Sequence, residues 1–205
     1  MSLYNRLLGT PFVYNYIRPL AVGGIDMSRV YARLGADRTS SILDVGCGTG
    51  DALRHIAHYQ NYLGVDTDPI AVRYAQQLHG GRPQTRFAAR LLGREDIAES
   101  SPTHVILAGL LHHLDDEECV ALLAMVKVSP MLVRIVTQDI VYLPGAGINN
   151  FFASMDRGRH CRSPKAYGQL AEQAGLRVTS AEAILAHPRN LFGVRYWVMT
   201  LEPKL

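Results

Sequence analysis

The chain has 205 residues, 48% hydrophobic and 19% charged, with 18 glycines, 10 prolines and a formal charge of +3. So much apolar material in a chain of one-domain length excludes a disordered tail, a coiled coil and a collagen-like rod. The charge is mild and forms no concentrated basic stripe, so no nucleic-acid partner is expected.

Three cysteines, Cys47, Cys119 and Cys161, form no CxxC and cannot all pair within the chain. A reducing, cytoplasmic compartment is the simplest reading. No run of 18 apolar residues occurs, and Asn5, Arg6, Asn15 and Arg18 interrupt the apolar N-terminus. Neither a membrane span nor a signal peptide is expected.

The first forty residues read as broken helix. Leu3, Leu7 and Leu8 share one face; Tyr14, Ile17 and Arg18 share another; Gly9-Thr10-Pro11 separates the two pieces and Gly23-Gly24 ends the second. Met27, Val30, Tyr31 and Leu34 fit a short third helix stopped at Gly35.

From residue 38 onward, β-branched runs alternate with helical periodicity, the pattern of an α/β fold with a mainly parallel sheet. Strands are expected at 41–45, 62–65, 85–88, 105–108 and 132–136, the last extending toward 141. Two late strands follow, at 177–180 (running toward 185) and 195–201. No helical pattern separates these two, so they pair as an antiparallel hairpin. Helices are expected at 51–59, burying Leu53, Ile56 and Ala57, and from Pro69, with Ile70, Tyr74 and Leu78 inward. Two more are expected at 116–126, with Val120, Leu123 and Ala124 inward, and at 163–174, ended by Gly175.

The strongest local signal is Asp44-Val45-Gly46-Cys47-Gly48-Thr49-Gly50-Asp51. A strand runs into three glycines, where backbone can approach a ligand closely, and then into a helix N-terminus. A dinucleotide fingerprint, GxGxxG, would put its third glycine at position 51, which is Asp. The acid at 44 repels a pyrophosphate and suits a ligand with an amino group. Asp66 ends the second strand, where a carboxylate can accept both hydroxyls of a ribose. Asp68 precedes Pro69 and reads as a helix N-cap.

LDVGCGTG, GVDTDP and LLHHLDD, in this order and spacing, resemble three motifs of the class I S-adenosylmethionine-dependent methyltransferases. The resemblance covers about residues 38–140. It implies a Rossmann-like sheet of seven strands, mainly parallel, with a C-terminal antiparallel hairpin and helices on both faces. The whole chain, 1–205, is then one domain, with a helical cap at 1–37 and the core at 38–205. The implied cofactor is S-adenosyl-L-methionine, faced by Gly46, Cys47, Gly48, Gly50 and Gly109. Asp44 would help place its amino end, and Asp66, with Thr67 beside it, would hold the ribose. One departure stands out. Arg90 falls where members of the family often carry an acid for the adenine amino group, and Asp96 sits further along.

The loop after the fourth strand carries His112 and His113, adjacent, so at most one of them faces the pocket. Imidazole titrates near neutrality and can take a proton from an attacking hydroxyl, phenol or amine. The competing reading is that a histidine here braces the loop. No carboxylate ends the fourth strand and no HxxxH or Cys/His spacing appears, so no metal is expected.

For the acceptor side, the cap offers Tyr4, Tyr14, Tyr16 and Arg18 as pocket wall or as plain packing. Asp139 is a second candidate base or a solvated acid. The stretch 145–162 reads as pliable, with Phe151 and Phe152 to close over a ligand. Arg157, Arg159 and Arg162 there either hold an acidic acceptor or form a solvated basic loop. The expected activity is methyl transfer to an O or N nucleophile of a small molecule. A nicotinamide-dependent reductase and a non-catalytic cofactor-binding module are the alternatives.

Overall fold

The computed structural model describes residues 26–156, 158–190 and 192–204. The two helical pieces expected before residue 25 lie outside these residues, as do Tyr4, Tyr14, Tyr16 and Arg18. The strands are β1 (Ser41–Val45), β2 (Asn61–Asp66), β3 (Thr85–Ala89), β4 (His104–Ala108), β5 (Arg134–Ile140), β6 (Leu176–Leu185) and β7 (Arg195–Pro203). They form one seven-stranded sheet in the order β3-β2-β1-β4-β5-β7-β6. Strands β1 to β5 run parallel, and β7 enters antiparallel between β5 and β6. The expected hairpin is present.

Side chains alternate across the sheet. Ile42 packs on one face with Val30, Leu34, Tyr62 and Val72. Leu43 packs on the other with Leu63, Val105, Leu123 and Tyr167. Both faces are covered, which is why the central strands read as unbroken apolar runs.

The helices are α1 (Ser28–Tyr31), α2 (Pro69–His79), α3 (Arg94–Ser100), α4 (Asp116–Lys127), α5 (Gly147–Ser154) and α6 (Pro164–Gln173). A 3-10 turn, Ala32–Leu34, continues α1 and stops at Gly35, as its left-handed backbone requires. Asp68 caps α2 by accepting from the Ile70 amide at 2.8 Å, and Ser163 caps α6. In α4 Leu123 points inward as expected, but its buried neighbours are Cys119 and Val126, while Ala124 is exposed.

Three further expectations fail. The first crossover is not a helix over 51–59; it is a 3-10 turn, Asp51–Arg54, followed by irregular chain, with Ala57 exposed. A nine-residue helix rises only about 14 Å, short of the roughly 17 Å of strand it must run back along. Second, α2 is rotated from its expected orientation. Ile70, Tyr74 and Leu78 are 76%, 49% and 47% exposed, whereas Val72, Ala75 and His79 are buried. The smaller side chains let α2 lie close over β2 and β3, against the ring of Phe87. Third, α3 and α5 form where no helix was expected. In α3, Asp96 reaches back to accept from the Gly93 amide at 2.9 Å. In α5, buried Asn149 donates to the Val141 carbonyl at 2.7 Å and accepts from the Arg195 amide at 2.8 Å. Residues 147–154 are therefore anchored rather than pliable.

Candidate active site

The carboxyl ends of β1, β2 and β4 open onto a cavity of about 480 Å³. Its wall includes Gly46, Asp66, Thr67, Arg90, Gly109 and His113. Five of these stand at or just beyond strand ends, where ligands of open α/β sheets bind. A larger hollow, about 740 Å³, opens between Arg38, Arg54, His55, His58 and Arg82. It lies where the first crossover fails to form a helix and contains none of the glycine-loop residues, so its size does not make it the site.

The loop is held by its own acid. Asp66 accepts from the Gly48 amide at 2.8 Å and from the Asp68 amide at 2.9 Å. An ionised carboxylate has about four lone-pair sites, so two remain for ribose hydroxyls. Gly48 is open to approach, since a Cβ there would meet nothing within 4 Å. Gly50 is a packing glycine: its φ is +77°, and a Cβ would fall 2.9 Å from Cδ2 of His79. Cys47 is buried in the core below the loop.

Asp44 lies off the cavity wall. It is buried, and its partner, which sequence reasoning missed, is the Tyr62 hydroxyl, which donates to it. Burial pushes the Asp44 carboxyl up to about 7, against that hydrogen bond. On the same wall, Arg90 pairs with buried Asp96. The acid that looked too distant in sequence thus meets the arginine standing in its expected place.

A sequence model described as "Methyltransferase domain" matches residues 43–128, from β1 to the end of α4. That stretch is similar to a methyltransferase domain.

The fold of the whole chain is shared with methyltransferases of known structure. A chain of the complex between the Haloferax volcanii Trm112 methyltransferase activator and a methyltransferase is 14% identical, with TM-score 0.69, covering 95% of this chain and 96% of that one. Cyclopropane synthase MmaA2 of Mycobacterium tuberculosis is 15% identical, with TM-score 0.64, covering 86% and 82%. Magnesium protoporphyrin IX methyltransferase from Synechocystis, determined with bound S-adenosylmethionine, is 16% identical, with TM-score 0.61, covering 98% and 89%. At these identities the likeness is one of fold. No curated protein matches the sequence.

The two adjacent histidines are placed differently. Both belong to the 3-10 turn Leu111–His113, with ring centroids 4.2 Å apart. His113 lines the cavity. Burial, and then the charge of His112, hold its pKa below the ordinary imidazole value. His112 is buried and points away, its Nδ1 2.8 Å from Oδ1 of Asp139 and its Nε2 3.4 Å from Oδ1 of Asp156. Asp139, at the end of β5, is therefore no solvated acid. Burial opposes charge on the His112 ring, but its bonds to the two carboxylates outweigh this and push its pKa up to about 9.

Asp156 and residues 158–162 form a strap over this turn. The His160 amide donates to the His112 carbonyl at 3.0 Å. Arg162 is buried, donating to the carbonyls of Leu111 at 2.9 Å and Leu114 at 2.7 Å and to Asp116 at 2.8 Å. It is a structural clamp, not a surface contact for an acidic acceptor. Arg159 is exposed, and Arg157 lies outside the described residues. Phe151 is exposed, and Phe152 packs beside Phe192 and Tyr196, so neither covers the cavity. Ring nitrogens of His112 and His113 and an oxygen of Asp156 lie within 4.8 Å of one another, close enough for one cation. Sequence spacing did not show this cluster, because the fold brings it together from two distant segments. Among the described residues no helix is long and apolar enough to cross a membrane.

Proposed function

We propose that this chain transfers the methyl group of S-adenosyl-L-methionine to an oxygen or nitrogen nucleophile of a small molecule. The observation that carries this reading is the single cavity wall that joins Gly46, Asp66 and Gly109 to His113. The adenosine would lie along the ends of β1 and β2, its ribose on Asp66. Gly48 and the Gly46 backbone would face the methionine part, and Thr67 would flank the ribose. Asp44 and Gly50 would act from below by holding the loop's shape.

Displacement at a sulfonium disperses an existing charge, so alignment and exclusion of water supply much of the rate. A neutral imidazole at His113 would take the proton that an attacking hydroxyl, phenol or amine must lose. The single-domain arrangement, with residues 1–37 as a cap, and a cytosolic setting suited to three free thiols complete the proposal.

The test is a screen of phenolic, amine and acidic metabolites for a cofactor-dependent mass gain of one methyl group. His113→Ala should lower turnover about a hundredfold while the Kd for S-adenosylhomocysteine stays within about twofold. Acceptors methylated only on carbon, with His113→Ala fully active, would overturn the O/N assignment.

A further inference from the structure

We propose that Asp139 and Asp156 are positioning residues that hold His112 as a fixed cation, and that this buried group keeps the neighbouring His113 turned to the cavity and ready to accept a proton. The inference rests on the reading of His113 given above and extends it to residues that never touch the acceptor.

The geometry carries it. Asp139 accepts twice at one oxygen, from the His112 backbone amide at 3.1 Å and from its ring Nδ1 at 2.8 Å. Two N–H groups converging on one oxygen favour its ionised form. Its other oxygen, Oδ2, is buried with no hydrogen-bond partner among the described residues. Burial pushes Asp139 upward, and the converging donors oppose that. The ring is committed at both nitrogens, because Asp156 stands at Nε2. An imidazole so placed has no lone pair to offer an acceptor.

Asp156 is itself fixed, since its Oδ1 also accepts from the Gly158 amide at 2.9 Å. Gly158 then lies against the ring: an added Cβ would sit 2.1 Å from Cδ2 of His112 and 2.7 Å from its carbonyl oxygen. Arg162 and His160 tie the same turn from above. His112 has almost no freedom to turn toward the cavity.

His113 lies 4.2 Å away between ring centroids. The charged and titratable groups near it are His112 on its own turn, Asp156 on the strap, and Asp66 and Arg90 on the cavity wall. A positive charge at His112 disfavours a second one at His113, so His113 stays neutral and basic at physiological pH. A metal ion shared by His112, His113 and Asp156 is the rival use of the same atoms. It would need His112 Nε2 to give up its proton.

The test is an imidazole-resolved ¹⁵N NMR titration of the untagged full chain, which needs neither a variant nor an acceptor. His112 should stay doubly protonated through neutral pH and lose its proton only near 9, while His113 titrates below the usual imidazole range. Asp139→Asn should move the His113 titration upward; Asp156→Asn should lower the His112 titration, and His113 is not the readout there because Asp156 also draws it upward directly. In methyl transfer by Asp139→Asn, the rising limb of the kcat–pH profile should follow the His113 titration, with turnover near neutrality falling about tenfold and cofactor affinity unchanged. Should Asp139→Asn not fold, Asp156→Asn and the wild-type titration still decide. A His112 that is neutral at pH 7, a His113 titration unmoved in folded Asp139→Asn, a His112 titration unmoved in Asp156→Asn, or stoichiometric metal in the purified chain would overturn the proposal. Failure of the function reading looks different: the titrations hold but His113→Ala retains full turnover.

Discussion

The glycine loop and the histidine turn sit at the same edge of the sheet but are built in opposite ways. The first is local: Gly46, Gly48 and Asp66 fall within two adjacent strand ends, and Asp66 fastens the loop through one backbone amide. The second is long-range: His112 is set by Asp139 on the next strand and by a strap more than forty residues downstream. A local device tolerates rearrangement elsewhere. An assembled one depends on every segment arriving, and a single misfit atom dismantles it.

The sharpest way to break the comparison is Gly158→Ala. With a backbone oxygen 2.7 Å from the new Cβ, the strap must lift, at a cost of about 3 kcal/mol. The urea midpoint should fall and methyl transfer should be lost, while S-adenosylhomocysteine still binds, because the glycine loop is untouched. The converse variant is Asp66→Ala. It should weaken cofactor binding by about 2 kcal/mol, roughly thirtyfold in Kd by titration calorimetry, and leave the strap in place.

A smaller effect separates the loop's support from its surface. Asp44, held protonated up to about 7 in the folded chain against 3.8 ordinarily, binds a proton that the unfolded chain has released between those values. Its contribution to stability therefore falls as pH rises across that window, by at most about 1.4 kcal/mol per pH unit. Asp44→Asn should flatten that decline when unfolding is measured from pH 4 to 8. The smallest effect belongs to α2, away from both devices: Leu78→Ser on its exposed face should change stability by no more than about 0.5 kcal/mol.

What could be read from the sequence follows the same division. The strand positions and the glycine loop were legible because each depends on neighbours in sequence, as Asp68 capping α2 shows. The rotation of α2 was not. Ile70, Tyr74 and Leu78 make the better apolar stripe, yet the sheet selects the small Val72 and Ala75. Whether helix or extended chain returns to β2 depended on the length to be spanned, which no propensity records. Of the histidine turn, the residues were visible and the roles were not. Asp139 looked like a solvated strand-end acid, and Arg162 like a contact for an acidic ligand. The alternation Asp156, Gly158, His160, Arg162 was a usable signal, but only the fold shows that all four face the same turn.

Arg162 has a consequence for how such chains diverge. Its three nitrogens serve carbonyls of the histidine turn and the first residue of α4. A lysine offers one nitrogen and cannot reproduce that fork. Drift at the turn and drift at the strap are therefore coupled, so descendants should keep or discard the two segments together. Sorting relatives by that joint inheritance would separate acceptor chemistries that the cofactor motifs alone leave merged.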